Sequence, residues 1–187
     1  SKNGSNNKNF CWSMSIKKEK LVKLFSSTQI SDRVGELAYK ISEEYIDKNP
    51  VLVGVLSGSF IFLADLVRSI KIDCEIDFIH ATSYKGRKSR GIVTLNKSFS
   101  YDLRNRHIIL IEDIIDTGLT IDYVRKLALN MFPKSVEIGT LLLKKDADDL
   151  DFPIRYIGFE IPQLFVVGYG LDYDQKMRNL DSIYSIE

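Results

Sequence analysis

Residues 107–120 read HIILIEDIIDTGLT. The run from His107 to Ile111 has the length and continuous apolarity of a strand covered on both faces, the pattern of a parallel sheet. It meets two acids, Glu112 and Asp113, then a third at Asp116. Thr117, Gly118 and Thr120 then open a helix through Asn130. Working outward, VLVGVL (51–56) is a second buried strand. A Ser57-Gly58-Ser59 turn follows it, then an amphipathic helix over 60–70. Upstream, Ile30, Val34, Leu37, Ala38, Ile41 and Tyr45 recur at helical spacing, with Ser31 or Thr28 as N-cap and Asn49-Pro50 as the stop. Further strands are expected over 74–83, 91–95, 135–143, 156–161 and 165–169. Strands alternating with helices predict an α/β fold, a single domain with a largely parallel central sheet flanked by helices. Residues 1–15, whose first nine are SKNGSNNKN, are expected to be a flexible N-terminal segment, leaving 16–187 as the domain.

Composition narrows the function. The chain has 187 residues, 44% of them hydrophobic, enough for one core without staples. With 26 Lys and Arg against 25 Asp and Glu, the formal net charge is +1, which predicts no nucleic-acid partner, since that needs a basic surface excess. No run reaches the roughly 18–20 apolar residues of a membrane span, so no membrane partner is expected. Cys11 and Cys74 form no CxxC pair, the usage of a reducing, cytoplasmic compartment. His80 and His107 are too few for a His-rich metal site and read as structural.

The acids and the helix start define a chemistry. In an open α/β sheet, ligands sit beyond the carboxyl ends of the strands. Gly118 permits close backbone approach, and the free N–H groups of the helix start, with the Thr117 and Thr120 hydroxyls, favour a phosphate. Glu112, Asp113 and Asp116 repel phosphate, but suit sugar hydroxyls, a hard cation or a proton to be removed. A phosphate cradle beside such acids describes a site for a ribose phosphate. Other readings are weaker. Asp116-Thr117-Gly118 is the aspartic-protease tripeptide, but those enzymes are all-β. The Asp-x-Asp of a dehalogenase-type phosphatase is absent, as is the Gly-Lys-Ser/Thr of a P-loop. A merely solvated acidic turn fits poorly between an apolar strand and an apolar helix.

IILIEDIIDTGLT resembles the phosphoribosyl-diphosphate motif of type I phosphoribosyltransferases, in their hypoxanthine/guanine branch. The segments GFEIP (158–162) and FVVGYGLDY (165–173) are similar to that branch's hood over the base, and the likeness runs from about Lys23 to the end. The resemblance implies the type I fold and purine salvage: transfer of the 5-phosphoribosyl group of 5-phosphoribosyl 1-diphosphate to hypoxanthine or guanine, releasing pyrophosphate. It implies Asp116 as the catalytic acid or base at purine N7. The ribose phosphate would lie on Glu112, Asp113, Asp116, Thr117, Gly118, Leu119 and Thr120. Lys144 would donate to the 6-oxo group, Phe165 stack on the purine, and the carbonyls of Val166 and Asp172 read its far edge. Ser57, Gly58 and Arg178 would hold pyrophosphate, and Ser83-Tyr84 would begin a mobile loop. Mg²⁺ is the implied cofactor, near Glu112, Asp113 and Asp172, and a homodimer or homotetramer the implied assembly.

The same likeness implies a non-proline cis peptide at the 56–59 turn. Ser57 stands where many members have Lys, so backbone N–H groups would serve pyrophosphate there; Leu119 replaces a lysine of some members. A lysine donor at Lys144 disfavours adenine, whose 6-amino group would set donor against donor. Two alternatives stay open: a non-catalytic sensor of a phosphoribosyl ligand, and a transferase for adenine or a pyrimidine.

Overall fold

The computed structural model describes residues 20–84, 92–145, 147 and 150–186. The expected segment 1–15 and the loop beyond Tyr84 lie outside the described residues. Strand β1 (Leu21–Phe25) leads into helix α1 (Ser27–Glu44), then β2 (Val51–Leu56), α2 (Phe60–Ser69), β3 (Glu75–Tyr84) and β4 (Ile92–Lys97). After them come β5 (His107–Ile115), α3 (Leu119–Leu129), β6 (Ser135–Lys144), β7 (Tyr156–Ile161), β8 (Val166–Val167) and β9 (Ile183–Ile186).

The main sheet has the order β4-β3-β2-β5-β6-β7, parallel throughout except for the β3/β4 pair. Helices α1 and α2 bury one of its faces around Ile41, Leu52, Phe62, Leu66 and Ile109. Helix α3 buries the other around Val53, Ile108, Leu110, Val124 and Ile138. Neighbouring residues of β5 therefore serve opposite cores, which is why its sequence is apolar without alternation. From β2 the chain crosses through α2 to β3 on one side, and from β5 through α3 to β6 on the other. The order thus switches between β2 and β5, and their carboxyl ends open the crevice where α/β sheets bind ligands.

A second, antiparallel sheet, β1-β9-β8, joins the two ends of the described chain. Its Val166 and Ile183 share the α1/α2 core with Tyr169 and Leu171, so it is the small hood packed onto the main body.

Four expectations need correction. The N-cap of α1 is Ser26, not Thr28 or Ser31: its hydroxyl accepts from the Gln29 N–H while the Gln29 side chain accepts from the Ser26 N–H. The apolar period hides this because the first turn is exposed. Strand β5 does not end before the acids; it pairs onward through Ile114↔Leu142 and Ile115↔Leu143. The expected 165–169 strand shrinks to Val166–Val167, since Gly168, Tyr169 and Gly170 all have positive φ (96°, 52° and 99°). And β1 and β9 were not expected, because short strands from the chain's two ends carry no local signal of each other.

Candidate active site

The loop after β5 and the turn after β2 meet at the switch point. Residues Glu112 to Ile121 line one continuous cleft. Within it Gly118 is the N-cap of α3 at φ 78°, and a Cβ there would sit 2.1 Å from Leu150 Cδ2. Only glycine meets both demands at low cost. No side chain caps the helix, so its first N–H groups stay turned toward the cleft, an anion cradle in combination with the helix dipole. Thr117 and Leu119 are exposed at its rim and Thr120 half-buried.

Glu112 and Asp113 lie in the last part of β5. Glu112 is buried, and its Oε2 has no hydrogen-bond partner. Burial, then the neighbouring Asp113, pushes its carboxyl well above the usual range. Burial pushes Asp113 to about 6, against its backbone hydrogen bonds and the Arg178 charge, with the Asp172 carboxylate adding to the rise. A pair of acids held so, one oxygen orphaned, is completed by hydroxyl donors or by a cation. Among the described residues no group of three or more His, Cys, Asp or Glu could hold a metal. Mg²⁺ fits nonetheless, because it is commonly held by one or two carboxylates with substrate phosphate oxygens.

In the turn after β2, Leu56-Ser57 is a non-proline cis peptide. Ser57 is exposed, and Gly58 abuts Asp113: a Cβ at position 58 would fall 1.7 Å from Asp113 Oδ2. Buried Ser59 donates its hydroxyl to the Val55 carbonyl at 2.6 Å, tying the turn to β2. Across the cleft, Arg178 pairs with Asp172 at 3.1 Å and donates to the Gly170 carbonyl at 2.7 Å. Asp172 also accepts from the Gln175 N–H at 2.8 Å, which fixes its carboxylate.

The residues expected to bind the purine lie at the end of β6 and around β8. Lys144 Nζ lies 3.4 Å from Asp116 Oδ2, with the lysine side chain only 12% exposed. Phe165, 54% exposed before β8, presents its ring edge-on to Tyr173 at a centroid distance of 5.8 Å. Val166 is buried in β8. The expected residues thus form two groups, one around Lys144 and Asp116, the other joining Asp113, Asp172 and Arg178. The backbones of Ser83 and Tyr84 end β3 against Val93 and Ile92; the loop they were expected to open lies outside the described residues. Tyr173 was missed, although it closes the quoted GLDY stretch. So was Tyr169, whose hydroxyl reaches Asp65 on α2; a lone acid on an amphipathic helix gives no signal.

The Phosphoribosyl transferase domain family matches residues 23–174. A hypoxanthine phosphoribosyltransferase of Haemophilus influenzae is 41% identical over 172 residues, 90% of this chain and 96% of that protein. A hypoxanthine-guanine phosphoribosyltransferase of Aquifex aeolicus is 40% identical over 174 residues, 92% of this chain and 98% of that one. The crystal structure of a hypoxanthine-guanine phosphoribosyltransferase from Bacillus anthracis superposes with a TM-score of 0.83 at 38% identity, covering 91% of this chain and 100% of that one. An uncapped helix start at the switch point, acids beside it and these likenesses converge: the chain belongs to the phosphoribosyltransferase family, in its hypoxanthine–guanine branch.

Proposed function

We propose that the protein transfers the 5-phosphoribosyl group of 5-phosphoribosyl 1-diphosphate to hypoxanthine or guanine, giving the nucleoside monophosphate and pyrophosphate. The observation that carries this is the Lys144–Asp116 pair, 3.4 Å apart at the mouth of the phosphate cradle. Lys144 donates to a 6-oxo group, and Asp116 accepts the proton that N7 loses as N9 attacks the anomeric carbon. Phe165 lies along the base, with the Val166 and Asp172 carbonyls at its far edge. The 117–120 backbone and its hydroxyls hold the 5′-phosphate, while Glu112 and Asp113 hold the ribose hydroxyls. Arg178 with the Ser57-Gly58 turn neutralises the departing pyrophosphate. Mg²⁺, on Glu112, Asp113 and Asp172 with substrate oxygens, would supply further positive charge to that leaving group. Ser83-Tyr84 would lead a loop that excludes water.

The reading treats 16–187 as one domain, supported by the core that the two sheets share. It places the reaction in the cytoplasm, because polyanionic substrates do not cross a bilayer unaided; no helix among the described residues is long and apolar enough to span one. A homodimer or homotetramer is supported by exposed Phe60, Ile76 and Phe78 at the α2 side of β3, an apolar surface a second copy would cover.

The test is product identification. Incubation with hypoxanthine, the sugar diphosphate and Mg²⁺ should yield inosine monophosphate and pyrophosphate in equal amounts. Binding of the sugar diphosphate without turnover would establish the non-catalytic sensor instead.

A further inference from the structure

The pyrophosphate turn and the arm that carries Asp172 and Arg178 belong to different parts of the fold, one leading into α2 and the other into the hood. Their backbones come close at Gly58 and Gly170: a Cβ on Gly170 would lie 2.2 Å from the Gly58 carbonyl oxygen. Arg178 is keyed to the same residue, since its Nη1 donates to the Gly170 carbonyl and its own carbonyl accepts the Gly170 N–H at 2.9 Å. The width of the pyrophosphate site is therefore set by where Gly170 stands.

The residue before it, Tyr169, is in the left-handed region at φ 52° and only 6% exposed. A side chain holds that conformation at a cost unless its surroundings enforce it. Here the enforcement is visible. The Tyr169 hydroxyl donates to Asp65 Oδ2 at 2.5 Å, while Arg68 engages the other carboxylate oxygen. Asp65 sits on α2, the helix that begins at the pyrophosphate turn. Burial, then Asp65, keeps the phenol protonated and thus a donor.

We infer that Tyr169 and Asp65 are positioning residues: their hydrogen bond locks the hood turn 168–170 onto α2 and so fixes the Asp172–Arg178 arm against the Ser57-Gly58 turn. The Lys144–Asp116 pair stands on other elements, at the ends of β6 and β5, so the lock acts mainly on pyrophosphate and bears on the purine only through the carbonyls at its far edge. The inference rests on the proposed function for its kinetic readout, and a binding readout stands apart from it.

Tyr169→Phe removes only the hydroxyl. It should raise the KM for the sugar diphosphate and weaken binding of Mg²⁺–pyrophosphate, measured calorimetrically, each by about tenfold. The KM for hypoxanthine should rise by a clearly smaller factor, about threefold at most. Asp65→Asn keeps an acceptor oxygen and should recover most of the loss, whereas Asp65→Leu should match Tyr169→Phe. Should Tyr169→Phe fail to fold, the Asn/Leu contrast at Asp65 carries the same comparison. Unchanged pyrophosphate affinity, equal rises in both KM values, or Asp65→Asn as damaging as Asp65→Leu would overturn the inference. If the wild type binds Mg²⁺–pyrophosphate and Tyr169→Phe weakens it, yet no 6-oxopurine turns over, the lock stands and the proposed function fails. Wild type that binds no pyrophosphate overturns the lock.

Discussion

Lys144 and Asp116 come from the ends of neighbouring strands and face each other at 3.4 Å. In the proposed reaction they divide the work, and substitutions should separate it. Asp116→Asn should lower kcat by about 10²–10⁴-fold while the sugar diphosphate still binds, because only proton transfer is removed. Near-normal turnover would contradict that role. Lys144→Ala should raise the KM for hypoxanthine by about 10–100-fold and that for the sugar diphosphate far less, as expected when a donor to the base is lost. Asp113 carries a pH signature. Its folded carboxyl titrates at about 6 against an ordinary value of 3.8, so it binds protons more tightly folded than unfolded. Its contribution to stability is full below the unfolded value and is lost as pH rises through 6. The unliganded Asp113→Asn protein should therefore be more stable than wild type at pH 8 by about 3 kcal/mol, with the gap closing near pH 4 in urea denaturation. Asp113 and Asp116 stood out in the sequence as acids at the end of an apolar strand, whereas Lys144 stood out only through the family resemblance.

At the scale of elements, legibility followed burial. The runs 51–56 of β2 and 108–111 of β5 are apolar on both faces and stood out, as did the shorter 141–143 of β6. Boundaries were less visible. Strand β5 runs on to Ile115 because Ile114 and Ile115 keep pairing with β6, and the interposed acids masked that continuation. The hood segment 165–169 has the composition of a strand, but three successive positive φ values end it after Val167. The cradle after β5 is the element most sensitive to change. Gly118→Ala would place a methyl at left-handed φ and against Leu150. It should destabilise the protein by about 1–3 kcal/mol and weaken the sugar diphosphate at least about tenfold, read by thermal melts and by calorimetry. An unchanged affinity would show that the cradle does not hold the 5′-phosphate.

At the scale of the molecule, the parallel sheet follows from the alternation of strands and helices and puts the site beyond the strands' carboxyl ends, while the switch point between β2 and β5 emerges only from the strand order of the fold. The hood does not follow, because β1 and β9 pair across nearly the whole chain. Nor does the contact between Gly170 and Gly58, which depends on how the hood docks on α2. The near-neutral total charge conceals a polarised cleft, with Glu112, Asp113, Asp116 and Asp172 set against Lys144 and Arg178. That polarity suits a polyanionic sugar and a base read by a donor. The central claim is therefore a specificity, and the direct measurement is the ratio of kcat/KM for hypoxanthine to that for adenine, with the sugar diphosphate and Mg²⁺ saturating. A ratio of at least about 10³ is expected from the unpaired donor that adenine would leave at Lys144. A ratio near one, or a preference for adenine, would contradict the account.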